Sequence, residues 1–342
     1  MRTALTLLLA AGMTAAFLAA GGRSAPEREL APARADSAGD TEVGMRNVHF
    51  YVAPDVVLRI RRLRGQMVSK KPGPLLFDDP TSFTIRIVSA EVGLTTTDLS
   101  ALLNHHVFAY PGAPLKHLVI HASGAQLVQK GLLHKGVDIP FEITSTPDVT
   151  AAGLIRLHPS RIKIFGVDGS ALMKALHLSL EKMLDLSKAH GVSVHGDDLF
   201  LAPDSILPPP SISGRVTAIR VEGDELVQTF GTSADSARVG TLALPDTTAA
   251  NYMFFRGGTL RFGRLLMLDA EMEIVDLDPT DPFQFDISRY NKQLIAGYSR
   301  TLPDLGLEVF MRDIEKVGRS EGADFATPLR SPLPRASKPP SR

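Results

Sequence analysis

The chain has 342 residues, with 37 basic and 37 acidic side chains and no cysteine. This length allows one large or two ordinary domains, with a core large enough to be stable without disulfides. Balanced charge provides no long-range field to attract nucleic acid, and the missing thiols exclude disulfides and cysteine-bound metals.

Residues 1–25 have the pattern of a secretory signal peptide. Arg2 precedes an apolar stretch from Ala4 to Ala20, and small residues follow it. An uncleaved membrane anchor is the alternative interpretation. Gly21 stands where a lipoprotein signal needs its cysteine. We therefore expect an exported protein, periplasmic or associated with the cell envelope, that is not a lipoprotein. Residues 26–44 are polar and predict a disordered linker.

Residues 45–232 contain mostly strand patterns. "NVHFYVAPDVVLRIRRLRG" and "SFTIRIVSAEV" alternate and are rich in β-branched residues, and "TTTDLSALLNHHVF" predicts a short helix capped by Thr97 or Asp98. Short strand patterns between residues 115 and 165, separated by Gly, Pro and Asp, predict an antiparallel meander. Two hairpins are expected further on, turning at Gly196 with Asp197 and at Gly223 with Asp224.

The longest helical pattern runs from Gly169 to Gly191. Asp168 or Ser170 would cap it, and Gly191 would end it. Its apolar half faces away from a charged stripe, so the pattern predicts an amphipathic helix. The apolar half contains Leu172, Met173, Leu176, Leu180, Met183, Leu184 and Leu186.

Residues 233–317 predict a further β-rich part with one helix. Leu268, Ala270, Met272 and Ile274 alternate with acidic residues, as in a half-buried strand. "DISRYNKQLIAGYSRTL" predicts the helix, and residues 318–342 predict a disordered tail.

The candidate reactive groups do not match the requirements of known sites. Ser320 lies in "GRSEG", but it is in the polar tail and no histidine follows it. His105 and His106 would point apart on a helix, which favours a structural role. We therefore expect no catalytic residue, no cofactor and no metal.

"DLDPTDPFQFD" (residues 276–286) has the acidic density of a calcium loop. Asp281 and Ile287 stand where an EF-hand loop needs Gly and Glu. A solvated turn is the default interpretation, and a non-standard calcium site stays open.

The segment from Leu58 to Lys71 carries six basic residues and no acidic one. The simplest interpretation is the solvent face of a strand, where arginine also prevents edge pairing. The alternative is contact with anionic lipid headgroups. The arginines concerned are Arg59, Arg61, Arg62 and Arg64.

The order of these elements resembles the tubular lipid-binding (TULIP) superfamily, and in particular exported bacterial lipid-binding proteins of the LmeA type. The resemblance covers Asn47 to Phe230. It is carried by "FTIRIVSAEVGLTTTDLSALLNHH", by "SALMKALHLSLEKMLDL" with "GVSVHGDDLFLAP", and by "ISGRVTAIRVEGDELV". The resemblance implies an α+β fold in which a strongly curved antiparallel sheet wraps a long amphipathic helix and encloses an apolar tunnel.

The predicted function is the binding or carriage of a lipid or acyl chain by an exported, non-catalytic protein. Its partner would be a lipid or a membrane surface, with no nucleic acid partner. From the resemblance, the tunnel would be lined by Leu172, Met173, Leu176, Leu180, Met183 and Leu184. Two alternatives are an envelope scaffold that binds another protein and a hydrolase with an acidic site that uses a carboxyl such as Asp278.

Overall fold

A long hairpin of β1 (Thr41–Ala53) and β2 (Val56–Ser69) lies in the middle of the largest sheet. The computed structural model describes residues 39–165, 167–169, 179–232, 234–235, 249–302 and 306–317. The predicted signal peptide, most of the linker and the tail lie outside these ranges. The last residues assigned to the linker, from Thr41 onward, are strand instead, because they pair with β2 and with a C-terminal strand.

The large sheet is strongly curled and mainly antiparallel. Its other strands are β4 (Phe83–Thr95), β12 (Ser211–Ser213), β13 (Val216–Glu222), β14 (Glu225–Phe230), β15 (Tyr252–Arg256), β18 (Glu271–Asp276), β19 (Phe283–Asp286), β20 (Tyr298–Thr301) and β21 (Leu307–Met311). The order is β13-β14-β4-β2-β1-β15-β18-β21-β20, with β12 beside β4 and β19 beside β1. The C-terminal strands thus extend the large sheet beyond β1.

A second sheet contains the predicted meander. Its strands are β5 (Leu115–Ser123), β6 (Gln126–Lys135), β7 (Val137–Val149), β8 (Ile155–Ile164), β9 (Val167–Asp168), β10 (Val192–His195) and β11 (Asp198–Leu201). The order is β10-β11-β8-β7-β6-β5, with β9 beside β8. The predicted turns at Gly196–Asp197 and Gly223–Asp224 are confirmed, because each joins two directly paired strands.

A small third sheet contains β3 (Leu75–Leu76), β16 (Leu260–Phe262) and β17 (Leu265–Met267). The predicted helix after β4 is also present, as α1 (Thr96–Leu102) followed by a π-helical turn (Leu103–Val107). Its cap is Thr95, whose hydroxyl accepts from the Asp98 backbone N–H at 3.1 Å. Shorter helical turns span Pro80–Ser82, Leu180–Met183, Pro203–Ile206, Tyr290–Ile295 and Ile314–Lys316.

The long amphipathic helix predicted from Gly169 to Gly191 is not found in the described residues. Residues 170–178 lie outside them, Leu180–Met183 form one helical turn, and Leu184 is extended with φ −111° and ψ 119°. Ser179 starts this turn from extended backbone, and the Asp197 carboxylate accepts from the Leu180 N–H at 2.8 Å. These contacts, together with burial of Leu184 and Leu186, outweigh the helical periodicity.

The predicted C-terminal helix is also shorter than expected. Only Tyr290–Ile295 are helical, and the chain continues as β20 because Tyr298 and its neighbours pair with β21. Leu268 is not part of a half-buried strand and has 63% of its surface exposed. In the described parts of the chain, no helix has both the length and the apolar character needed to cross a bilayer.

An aromatic cluster fills one part of the interior of the large sheet. Phe77, 2% exposed, is at its centre. The ring centroids of its neighbours lie 4.8 to 6.1 Å from its own. These neighbours are Phe83, Phe255, Phe262, Phe285 and Tyr290.

Candidate functional site

The first apolar cavity lies between the large sheet and the edge of the meander. Strands β1, β2, β4 and β14 contribute alternate residues such as Leu58, Ile60, Ile85 and Ile87, because alternation places every second side chain on the same face. Gln228 is the one polar side chain among its described lining residues. The cavity volume is about 50 Å³.

The second apolar cavity lies against the meander sheet. Its volume is about 60 Å³, and Gln129 is the polar residue among its described lining side chains. The Gln129 Nε2 donates to Ser145 Oγ at 3.3 Å, so this polar group is already satisfied. Leu201 lines both cavities, which therefore adjoin at this residue.

Both cavities are small compared with ordinary ligand pockets of about 300 to 1,000 Å³. An acyl chain would therefore have to displace wall side chains as it enters. Met45 in the first cavity and Met183 in the second are unbranched and can change rotamer at low cost. The linings are suited to apolar ligands, since a polar ligand would find few partners there.

Three of the six residues predicted to line a lipid cavity lie on the second cavity, although the described residues from Ser179 onward form only one helical turn. Leu180, Met183 and Leu184 contact this cavity. Leu172, Met173 and Leu176 lie outside the described residues. The first cavity was not predicted, because alternation identifies the buried face of a strand but not whether that face is fully packed.

The four arginines predicted to contact headgroups are paired with carboxylates of the chain. Hydrogen bonds from Arg220 and Arg61 hold the pKa of the Glu91 carboxyl below its usual value. Arg62 keeps 72% of its side-chain surface exposed. The pairs are Arg59 with Asp98 at 2.8 Å and Glu225 at 3.4 Å, Arg61 with Glu91 and Glu222 at 3.1 Å, Arg62 with Glu91 at 3.3 Å, and Arg64 with Glu42 at 2.9 Å. This matched charge favours the solvent-face interpretation, and headgroup contact stays a prediction.

A polar cluster lies where the parallel strands β18 and β21 end together. Carboxylate oxygens of Asp276, Asp281 and Asp313 all lie within 4.8 Å of one another. Burial raises the pKa of Asp276, which is 5% exposed, to about 6. The acidic loop supplies Asp276 and Asp281, whereas Asp313 was missed because it joins them only through strand pairing.

Lys316 provides a cation for this cluster. Its Nζ lies 2.7 Å from Asp278 Oδ2, 2.8 Å from Asp313 Oδ2 and 3.4 Å from Asp281 Oδ1. The hydrogen bond from Lys316 holds the pKa of Asp278 far below its usual value. Asp278, the acid named for the hydrolase alternative, is therefore ionised near neutral pH and has no proton to donate.

His105 and His106 do not point apart as predicted. His105 Nδ1 lies 2.5 Å from Asp55 Oδ2, and His106 Nε2 lies 3.3 Å from Asp55 Oδ1. The π-helical turn at Leu103–Val107 changes the angle between successive side chains. Both rings contact the β1–β2 turn and link it to the end of α1.

No protein-family model matches the chain, and neither the curated proteins nor the solved structures include a significant match.

Proposed function

We propose that this protein is an exported, non-catalytic carrier that binds a lipid or acyl chain in its apolar interior. The observation that supports this proposal best is the pair of adjoining cavities at Leu201, each lined by aliphatic and aromatic side chains with a single polar residue among those described. A flexible chain of methylene groups fits such a lining because it offers no polar group that would need a partner.

In this proposal, the acyl chain lies along both cavities and passes Leu201. The resemblance to TULIP proteins implies the same use of an apolar interior, and the signal-peptide pattern implies that the carrier works outside the cytoplasm. Leu172, Met173 and Leu176 are proposed to extend the lining on the basis of the sequence alone.

The test begins with the full chain produced in cells and purified without detergent. Native mass spectrometry followed by organic extraction should reveal a lipid at close to one per protein, or the empty protein should take up a fluorescent fatty acid saturably. An empty protein that takes up neither a fatty acid nor a phospholipid would overturn the proposal in favour of a scaffold.

A pair of variants locates the binding site. Met183→Asp places a charge on the wall of the second cavity at a half-buried position, so it should weaken uptake at least about tenfold. Val194→Asp is the control, because Val194 is half-buried on β10 of the meander sheet and does not line either cavity. Equal uptake by two folded variants would contradict the proposed site.

A further inference from the structure

Three leucines are exposed together on one short hairpin, which we call the leucine hairpin (residues 260–268). Leu265, Leu266 and Leu268 expose 41%, 51% and 63% of their surfaces. They are three of the seven most exposed large apolar side chains among the described residues, and they lie within four positions of one another. Single exposed leucines need no explanation, but three within four positions at one sheet edge indicate a contact surface.

The strand register places these leucines at a sheet edge. β17 is the last strand of the small sheet, so one of its sides has no strand partner among the described residues. Leu266 is paired with Arg261, and Arg261 with Leu76 on the next strand. Directly paired residues share a face, so Leu266 and Arg261 lie side by side on the exposed face. Gly263, with φ 61°, forms the tight turn that projects Arg264 at the tip.

Two arginines, Arg261 and Arg264, lie on the same hairpin as the leucines. The Arg264 guanidinium makes no hydrogen bond or ion pair with the residues that the structure describes. Arg261 Nε donates to the Gly263 carbonyl at 3.3 Å. Asp269 is the acidic residue next in the chain. This arrangement differs from Arg59 and Arg61, whose charges are matched by carboxylates.

Two further cations lie near the base of the hairpin. Lys70 and Lys71 line a cleft together with Thr259, and the Thr259 hydroxyl donates to the Leu268 carbonyl at 3.3 Å. The Lys70 ammonium donates to Ser211 Oγ, a neutral group, at 2.8 Å. Asp40 also lines the cleft, and Arg86 lies 3.6 Å from its carboxylate.

We infer that the leucine hairpin docks on an anionic lipid bilayer, with its leucines entering the boundary between headgroups and acyl chains and with Arg261 and Arg264 contacting phosphates. Exposed apolar side chains next to two arginines that have no carboxylate partner in the described part of the chain have the chemistry of an interfacial membrane contact. The inference rests on the proposed function in one respect, since a lipid carrier must reach a membrane to load or deliver its ligand.

The experiment is flotation of the full chain with vesicles of phosphatidylcholine, with and without phosphatidylglycerol. The chain should float with the anionic vesicles, and binding should weaken as salt rises. The double variant Leu266→Ser with Leu268→Ser should reduce binding at least about tenfold. Val119→Ser with Val137→Ser is the matched control, since these exposed residues lie on the meander sheet and should change binding less than about twofold.

A second pair of substitutions tests the electrostatic part. Arg261→Gln with Arg264→Gln should weaken binding to anionic vesicles about tenfold and leave the residual binding to phosphatidylcholine unchanged. Each variant is checked by its thermal unfolding midpoint, which should not move because these side chains are exposed. Where the double leucine variant unfolds, Leu268→Ser alone, at the most exposed of the three positions, replaces it.

The outcomes separate this inference from the proposed function. Fatty-acid uptake by the leucine variant should equal that of the parent chain. The docking inference is overturned if the parent chain floats with neither kind of vesicle, and that result would direct the search to a protein partner. It is also overturned if a folded leucine variant floats as well as the parent chain. Vesicle binding that depends on the leucines, in a chain that takes up no lipid, supports the docking and overturns only the carrier proposal.

Discussion

The aromatic cluster around Phe77 and the cavities that meet at Leu201 are both buried in the fold, but their packing differs. Flat rings at varied angles fill the first region, with centroids 4.8 to 6.1 Å apart around Phe77. Mainly aliphatic side chains line the second, and they leave about 50 and 60 Å³ unfilled. Phe50 belongs to both, since it stacks on Phe285 and lines the first cavity.

This difference suggests a division of roles between the two regions. Dense aromatic packing maximises dispersion contacts and contributes stability, whereas an incompletely filled aliphatic lining forgoes some of those contacts. The same unfilled volume that lowers stability is available to an apolar ligand. The comparison predicts that substitutions in the aromatic cluster change mainly stability and that substitutions at the cavities change mainly binding.

The largest effect is expected for Phe77→Ala. Removing the central ring should lower the free energy of unfolding by about 3 to 5 kcal/mol, because five neighbouring rings lose a partner and a cavity remains. Urea unfolding followed by circular dichroism measures the loss. Phe200→Ala is the control, since Phe200 is only half-buried and should cost much less. Equal costs for the two variants would contradict the distinct role of the aromatic cluster.

The next largest effect on stability is expected from the buried carboxyl group of Asp276. Asp276 has a pKa raised from 3.8 to about 6 by burial, so the folded state favours its protonated form. Its contribution to stability is therefore complete below about pH 4 and is lost as the pH rises through 6, by at most about 3 kcal/mol. Asp276→Asn should flatten this fall in urea unfolding measured between about pH 4 and 7. Parallel curves for parent and variant would show that Asp276 does not titrate in this range.

A smaller change in stability, but a larger one in binding, is expected for Leu201→Phe. The added ring would occupy the junction of the cavities, so the free energy of unfolding should change by less than about 1.5 kcal/mol. Uptake of a fluorescent fatty acid should weaken about tenfold. Leu127→Phe is the control, since Leu127 is fully buried outside both cavities and should lose stability while keeping uptake. If Leu201→Phe lost stability but kept uptake, and Leu127→Phe lost uptake, the distinction between packing and cavity residues would be contradicted.

The smallest effect is expected for Arg62→Gln. Arg62 keeps 72% of its side-chain surface exposed in its ion pair with Glu91, so the free energy of unfolding should change by less than about 1 kcal/mol. Flotation with anionic vesicles should also be unchanged. A loss of vesicle binding as large as that of the double variant Arg261→Gln with Arg264→Gln would restore the headgroup role predicted for the arginines of β2.

The strands and turns could be predicted well from the sequence, because their causes are local. The alternation in β1 and β2, the meander, and the two-residue turns at Gly196 and Gly223 depend on neighbouring residues and on backbone preferences. The cap of α1 was predicted at Thr97 or Asp98, and it lies at Thr95. Helix ends are commonly displaced by a residue or two.

The failed predictions depend on contacts between distant segments. The helical periodicity around Leu184 gives way to extended backbone because burial in the meander sheet and the bond from Asp197 act together. Leu268 has the alternation of a buried strand residue, but the β16–β17 hairpin places it at an exposed edge.

The sequence alone determined that this chain forms a β-rich fold with defined hairpins, since hydrophobic alternation and turn residues act over a few positions. Only the tertiary structure decided which buried faces are filled by rings and which enclose cavities, and that Asp313 joins Asp276 and Asp281. It also decided that Arg61 has carboxylate partners, whereas Arg264 has none among the residues that the structure describes. Volume, burial and charge pairing depend on residues far apart in the chain, so they are determined when the sheets curl and pack.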